Sequence, residues 1–279
     1  MRIGYTGWTW DTDERRDWAP FNEFHKENFE QFLREVSNLG YETVENFSFI
    51  ADYYAGDVEG FKKTVASFGL KFENLYFYFS NDAEKDYEDA KKYIAFAREV
   101  GATHMNMQGV MWKDRPFVKP TDKDAILDYA KRSNIIGEWC TQAGIKACMH
   151  PHANTRIFQE DQIEMFVENT DPRYVYLCLD TAHLTLAGMS APEIAKKFGK
   201  RVGYVHLKDI DPNENAHPEW PMRRFLPLGY GCVDFKGFVN SLKEEGYDGI
   251  LCVELDYQPV CNYKSAMDSR NYLRNVLGL

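Results

Sequence analysis

The sequence predicts an α/β fold, a single-domain (β/α)8 TIM barrel spanning residues 1–279, and three observations carry that prediction. Six times a helical pattern ends in glycine and an apolar strand follows at once, at Gly40, Gly69, Gly101, Gly144, Gly199 and Gly246. With RIGYTGW at the start and YVYLCLD in the middle, the strand count reaches eight. Dividing 279 residues by eight gives about 35 per unit, close to a barrel of about 250 residues with modest loop insertions. A doubly wound sheet is the competing architecture, but its G-x-G-x-x-G turn is absent after the first strand.

In chain order, the first strand is RIGYTGW, and Phe29, Phe32, Leu33 and Val36 then recur at i, i+3, i+4 and i+7, one face of a helix. Gly40 supplies the left-handed residue that ends such a helix. Strand two is YETVENF; strand three, after Gly69, is LKFENLYFYF; strand four, after Gly101, is ATHMNMQGV; strand five, after Gly144, is IKACMHPH. The EMFVENTDPRY segment is connective and leads into strand six on the face opposite the strand ends. Strand seven is VGYVHLKD, and residues 211–234 are too rich in Pro, Gly and Asn for a continuous helix. That loop is expected to project over the C-terminal face, cover a substrate and be more mobile without one. A helix from Phe235, then Gly246, leads to strand eight, GYDGILCVELD.

Lys and Arg number 33 against 43 Asp and Glu, a net charge of -10, so a non-specific hold on nucleic-acid phosphates is not expected. No apolar run reaches the length of a membrane span or a signal peptide, so the expectation is a cytoplasmic protein with no membrane contact. The six cysteines form no CxxC pair, and Cys148, Cys178 and Cys252 lie in apolar strands as reduced core thiols. Assembly into a homo-oligomer is compatible with the sequence.

Polar residues at the C-terminal ends of barrel strands carry the chemistry, because strand middles fill the core. Strand two ends in Glu45 and Asn46, four in Asn106 and Gln108, and five in His150 and His152. Strand six carries Asp180 and His183, seven His206, Lys208 and Asp209, and eight Glu254 and Asp256. Histidines and carboxylates on four consecutive strands converge on closing the barrel, which predicts one divalent metal. Imidazole plus carboxylate without thiolate suits Mn²⁺, Co²⁺, Zn²⁺ or Fe²⁺.

LDTAHL, YVHLKD, the GYGCVDF turn and the GYDG segment leading to VELD resemble the xylose isomerase-like TIM barrels, the sugar phosphate isomerase/epimerase superfamily that also contains endonuclease IV. The resemblance covers essentially the whole chain. It implies a metal held by His150, Asp180, His206 and Glu254, with Mn²⁺ favoured, and a small carbohydrate or cyclitol as substrate. The related epimerases carry a glutamate on strand five that binds metal and moves a proton, where this chain has His-Pro-His. His150 aligns best with that glutamate, and His152, two residues on, is an alternative ligand or the base. A His-rich strand five resembles the inosose dehydratase branch, which favours elimination of water over 3-epimerisation or aldose-ketose isomerisation. An endonuclease IV-like nuclease would need a trinuclear zinc cluster and a basic surface, against the net charge here.

The resemblance makes His183 a substrate-facing residue and leaves Lys208 either neutralising an enolate oxygen or paired with Asp209. Glu45 and Glu254 are further acid/base candidates, and Asn106, Gln108 and Asp256 are candidates for substrate hydroxyls. Trp8, Trp10, Trp112 and Trp220 fall near loops over the mouth, where aromatic faces suit sugar C–H surfaces. Arg224, beside Arg223, could clamp an anionic group.

Overall fold

The computed structural model describes residues 1–13, 19–20, 23–112, 118–257 and 260–279. Its centre is a closed parallel barrel of eight strands: β1 (Arg2–Thr6), β2 (Thr43–Phe47), β3 (Lys71–Tyr78), β4 (His104–Gln108), β5 (Lys146–Met149), β6 (Val175–Asp180), β7 (Val202–Leu207) and β8 (Ile250–Val253). Each pairs with its neighbours in chain order, and β1 closes the ring by pairing with both β2 and β8. The outer helices are α1 (Lys26–Leu39), α2 (Val58–Ser67), α3 (Ala83–Val100), α4 (Lys123–Gln142), α5 (Glu160–Glu168), α6 (Ala191–Phe198), α7 (Phe235–Glu244) and α8 (Asn262–Tyr272). This is the predicted (β/α)8 architecture. Helix α1 buries Phe29, Phe32, Leu33 and Val36, the stripe its spacing required. Among the described residues, no helix is long and apolar enough to cross a membrane.

Five of the six inter-element glycines have positive φ. Gly199 does not: it is right-handed at φ -50° and opens a short 3-10 turn, Gly199–Arg201. There the absent side chain answers a different need, because a Cβ would collide with the Glu245 side chain.

The two-residue period of a strand builds the barrel interior in layers. Cys148, Cys178, Tyr204 and Cys252 form one buried cluster with Ile250. Two residues further along the same strands come His150, Asp180, His206 and Glu254, all 5% exposed or less. Three thiols and a tyrosine below thus give way to ligand-type side chains above. At the opposite end His104 is buried beside Thr103, far in register from this upper layer.

The loop after β7 does not behave as one lid. Residues 212–215 and 217–219 are exposed, whereas Met222 and Phe225 are buried in a satellite cluster with Ala153, Phe158, Ala182 and Ile210. Asp209 and Ile210 pair antiparallel with Leu226 and Phe225. The loop expected to be more mobile without substrate is thus anchored in its second half by Met222 and Phe225, whose side chains pack against the loops after β5 and β6.

Candidate metal centre

Four strand ends bring one donor atom each to a single point. His150 Nε2, Asp180 Oδ2, His206 Nδ1 and Glu254 Oε2 are buried and make no well-aligned hydrogen bond among the described residues, and ligand atoms of these four residues lie within 4.8 Å of one another. His150 Nε2 is 3.6 Å from Asp180 Oδ2, and His206 Nδ1 is 3.9 Å from that oxygen and 2.8 Å from Glu254 Oε2. Donors held about 2.1 Å from one tetrahedral centre are about 3.4 Å apart, a spacing these separations bracket. Buried carboxylate and imidazole atoms are costly unless charge or hydrogen bonds join them; Lys208 reaches the two carboxylates, and with two imidazole nitrogens lying beside them the donor set also fits a divalent metal. Cys178 also approaches His150 and His206, one layer below the four, and burial pushes its thiol up to about 11.

Each imidazole is oriented from behind. Tyr76 Oη donates to Gln108 Oε1 at 2.5 Å and also contacts His150 Nδ1. With its own hydrogen committed to Gln108, Tyr76 accepts from His150 Nδ1–H, which leaves the Nε2 lone pair for a metal. Replacing Tyr76 with Phe is expected to weaken metal affinity by about 10- to 100-fold, read by competition with a chelating dye. Unchanged affinity would show that Tyr76 only packs. At His206 the outer partner is Glu45, whose Oε1 lies 2.9 Å from Nε2 while Asn74 Nδ2 holds its other oxygen at 2.8 Å. Glu45 is thus on the ring edge opposite Glu254, completely buried, and placed to orient His206 rather than to meet a substrate.

Lys208 is completely buried, with Nζ 2.5 Å from Asp256 Oδ1, 3.0 Å from Glu254 Oε2 and 3.3 Å from Asp180 Oδ2. Burial raises both the Asp180 and Glu254 carboxyls, yet Lys208 with the surrounding histidines outweighs it and holds both below the usual range. Asp256 keeps the burial effect and is raised to about 6 despite Lys208. The alternative partner for Lys208 was Asp209, and the structure excludes it: Lys208 pairs with Asp256. Asp209 instead accepts the backbone N–H groups of Ile210, Gly229, Gly231 and Val233, pinning the returning loop. Arg224 commits Nε and Nη2 to the Asp211 carbonyl, so those donors are spent on the loop rather than offered as an anion clamp.

His152 does not join the four-residue group. It meets His183 and Asp256 in a second cluster, with ligand atoms within 4.8 Å and the two imidazole centroids 3.9 Å apart. Burial first, then His150 and Lys208, push the His152 imidazole down to about 3. Asn106 Oδ1 and Gln108 Nε2 are buried without partners on the β4 end. Trp8 donates Nε1 to the Asp256 carbonyl at 3.0 Å and lies against Phe47, which stacks on Tyr78 to form an aromatic wall at the ends of β1 to β3. Trp10 belongs to the core instead, edge-on to Tyr5 and bonded to Glu35. Trp112 lies between Lys119 and Arg156, and Trp220 packs on the satellite cluster.

The sequence profile of the xylose isomerase-like TIM barrels matches residues 33–276. The chain belongs to that family. The inosose dehydratase of Clostridium beijerinckii is 29% identical over 304 aligned positions, covering 100% of this chain and 98% of the relative. That of Geobacillus thermodenitrificans is 26% identical, covering 90% of each. Among solved structures, the probable 3-DHS dehydratase AsbF from Bacillus anthracis superposes with a TM-score of 0.79 at 15% identity, covering 99% of this chain and 100% of that one. The IOLI protein, solved with a zinc atom, superposes with a TM-score of 0.73 at 16% identity, covering 100% of this chain and 98% of that one. At such identities the superpositions speak for the fold alone.

Within this xylose isomerase-like barrel several site contacts escaped sequence reasoning. Phe225 is fully buried with its ring 4.9 Å from Lys208 Nζ and edge-on to His183 at 4.8 Å. Asn154 has a left-handed backbone at φ 61° and a buried, unpartnered Nδ2. A non-glycine residue in that conformation is uncommon and was the one local signal available. Tyr76 is hidden in the aromatic run LYFYF, where only strand parity tells the inward residues from the outward ones.

Proposed function

We propose that this chain is a divalent-metal-dependent lyase that removes water from a keto-cyclitol or keto-sugar, beginning with proton abstraction next to the carbonyl, as a cytoplasmic enzyme of carbohydrate metabolism. The observation that carries the proposal is the set of four buried donor atoms converging at the strand ends, beside two imidazoles that are not part of it. His150, Asp180, His206 and Glu254 would hold one cation, with Mn²⁺ favoured and Zn²⁺, Co²⁺ or Fe²⁺ suiting the same donors. When bound, such a cation supplies Lewis-acid polarisation of the substrate carbonyl. His152 takes the proton at Nε2. Lys208 offsets negative charge on the substrate oxygens, while Asn106, Gln108 and Asp256 bind hydroxyls and Trp8 covers an apolar ring face. The inosose dehydratase relatives support the choice of water loss from a cyclitol ketone.

A 3-epimerase reading needs an acid/base group on each face of the substrate. Glu45 is committed behind His206, which weighs against it. Incubating the Mn²⁺-loaded chain with an inosose in D₂O should give a product lighter by one water with the ultraviolet absorbance of a conjugated enone. An isomer of unchanged mass with deuterium at carbon would replace the lyase reading with epimerisation, and no metal-dependent exchange with any keto-cyclitol or keto-sugar would end both.

A further inference from the structure

His152 and His183 are set in opposite tautomers by a single residue. The Ala153 carbonyl can only accept, and His152 Nδ1 lies 2.7 Å from it, so His152 carries its hydrogen on Nδ1 and presents a lone pair at Nε2. The Ala153 N–H can only donate, and its bond of 3.3 Å to His183 Nδ1 makes that nitrogen the acceptor. Neutral His183 therefore carries its hydrogen on Nε2, which is buried and has no hydrogen-bond partner among the described residues. The peptide is itself fixed: Ala153 packs in the satellite cluster, and His152 N–H bonds the Ile157 carbonyl while Thr155 Oγ1 bonds the His152 carbonyl. With centroids 3.9 Å apart and planes at 44°, the rings are in contact and leave no room for a substrate between them.

We infer that this pair is a same-face acceptor and donor, His152 taking the proton from carbon and His183 holding the departing oxygen, so that water is lost syn. The inference rests on the lyase reading. His152 Nε2 takes the α-hydrogen and the C–H electrons enter the enolate. The enolate then forms the C=C bond as the β C–O bond breaks toward His183 Nε2–H. The His152 imidazolium returns its proton to the departing oxygen, which leaves as water, so His152 ends neutral with no co-reactant. A polyhydroxylated cyclohexanone with every hydroxyl equatorial fits this arrangement, because its α-hydrogen and the neighbouring β-hydroxyl lie on one face. The orphaned His183 N–H also disfavours a second cation at His152, His183 and Asp256, since that would need a lone pair on the same nitrogen.

Two measurements test this on the full chain loaded with Zn²⁺, which is diamagnetic. Long-range proton–nitrogen correlation spectra, assigned with His152→Gln and His183→Gln, should show His152 protonated at Nδ1 and His183 at Nε2. Identical tautomers, or two zinc ions per chain, overturn the inference whether or not the protein is a lyase. The all-equatorial inosose should be dehydrated, and its isomer inverted at both β carbons should react at least about 10²-fold more slowly, the low end of the usual worth of a positioned acid or base. Both should exchange the α-hydrogen. Equal dehydration of the two isomers overturns the syn assignment. If neither compound exchanges or eliminates, the lyase reading has failed while the tautomer result still stands on its own.

Discussion

Asp180→Asn is expected to cost the protein its metal and about 10³-fold or more in turnover, because Lewis-acid stabilisation worth several kcal/mol goes with the ligand. The substitution is informative because the two carboxylate oxygens do different work. Oδ1 accepts the N–H groups of Ala182 and His183 at 2.9 and 3.0 Å and caps the short helix Thr181–Leu186, while Oδ2 points to the ligand cluster. Asparagine keeps an oxygen for the cap and puts a donor amide where Oδ2 stood. Fold and thermal stability should therefore survive in Asp180→Asn, whereas Asp180→Ala also loses the cap, worth about 1 kcal/mol, and frees His183 to move. Elemental analysis after dialysis, with calorimetry alongside, separates the cases. Full metal occupancy and wild-type turnover in Asp180→Asn would remove Asp180 from the centre.

His152→Gln is expected to keep the metal and lose about 10²- to 10⁴-fold in kcat, the usual worth of a positioned base. The pH dependence follows from direction. A histidine held down to about 3 is neutral, and so able to accept a proton, at every pH above that value. No rise in rate near the ordinary imidazole value of about 6.5 should then appear, and a bound cation would lower His152 further. Asp256, raised to about 6, ionises as pH climbs through that value, so an acid-side limb there should vanish in Asp256→Asn and persist at a lower plateau in His152→Gln. Loss of the limb in His152→Gln alone would assign it to the imidazole instead.

The fold was legible because six of the eight strands are short runs that follow a helix stop, and a register error would have turned an inward layer outward. The ligand-type residues stood out because a histidine or carboxylate is expensive in such a run unless it has a partner. The expected pairing of Lys208 with Asp209 lies just past the end of β7 at Leu207, where the alternation no longer decides. What pairs instead, Lys208 with Asp256, joins residues 48 positions apart and depends on how β7 and β8 lie together. The division of labour between His150 and His152 was illegible for a related reason: the chain leaves the strand at Met149, so the alternation no longer fixes where the next side chains point. Gly199 shows a third limit, since glycine after a helix marks either a backbone twist or a crowded neighbour, and sequence does not distinguish them.

Asp209 gathers four backbone N–H groups from both ends of the loop after β7, and the residues between those ends divide into a packed half and an exposed half. Such a collar decouples the tip from its base. Residues 212–219 can lengthen, shorten or be cut by a protease without dragging Phe225 off His183, so they form a natural graft point where substrate range could be re-engineered while the ligands beneath keep their positions.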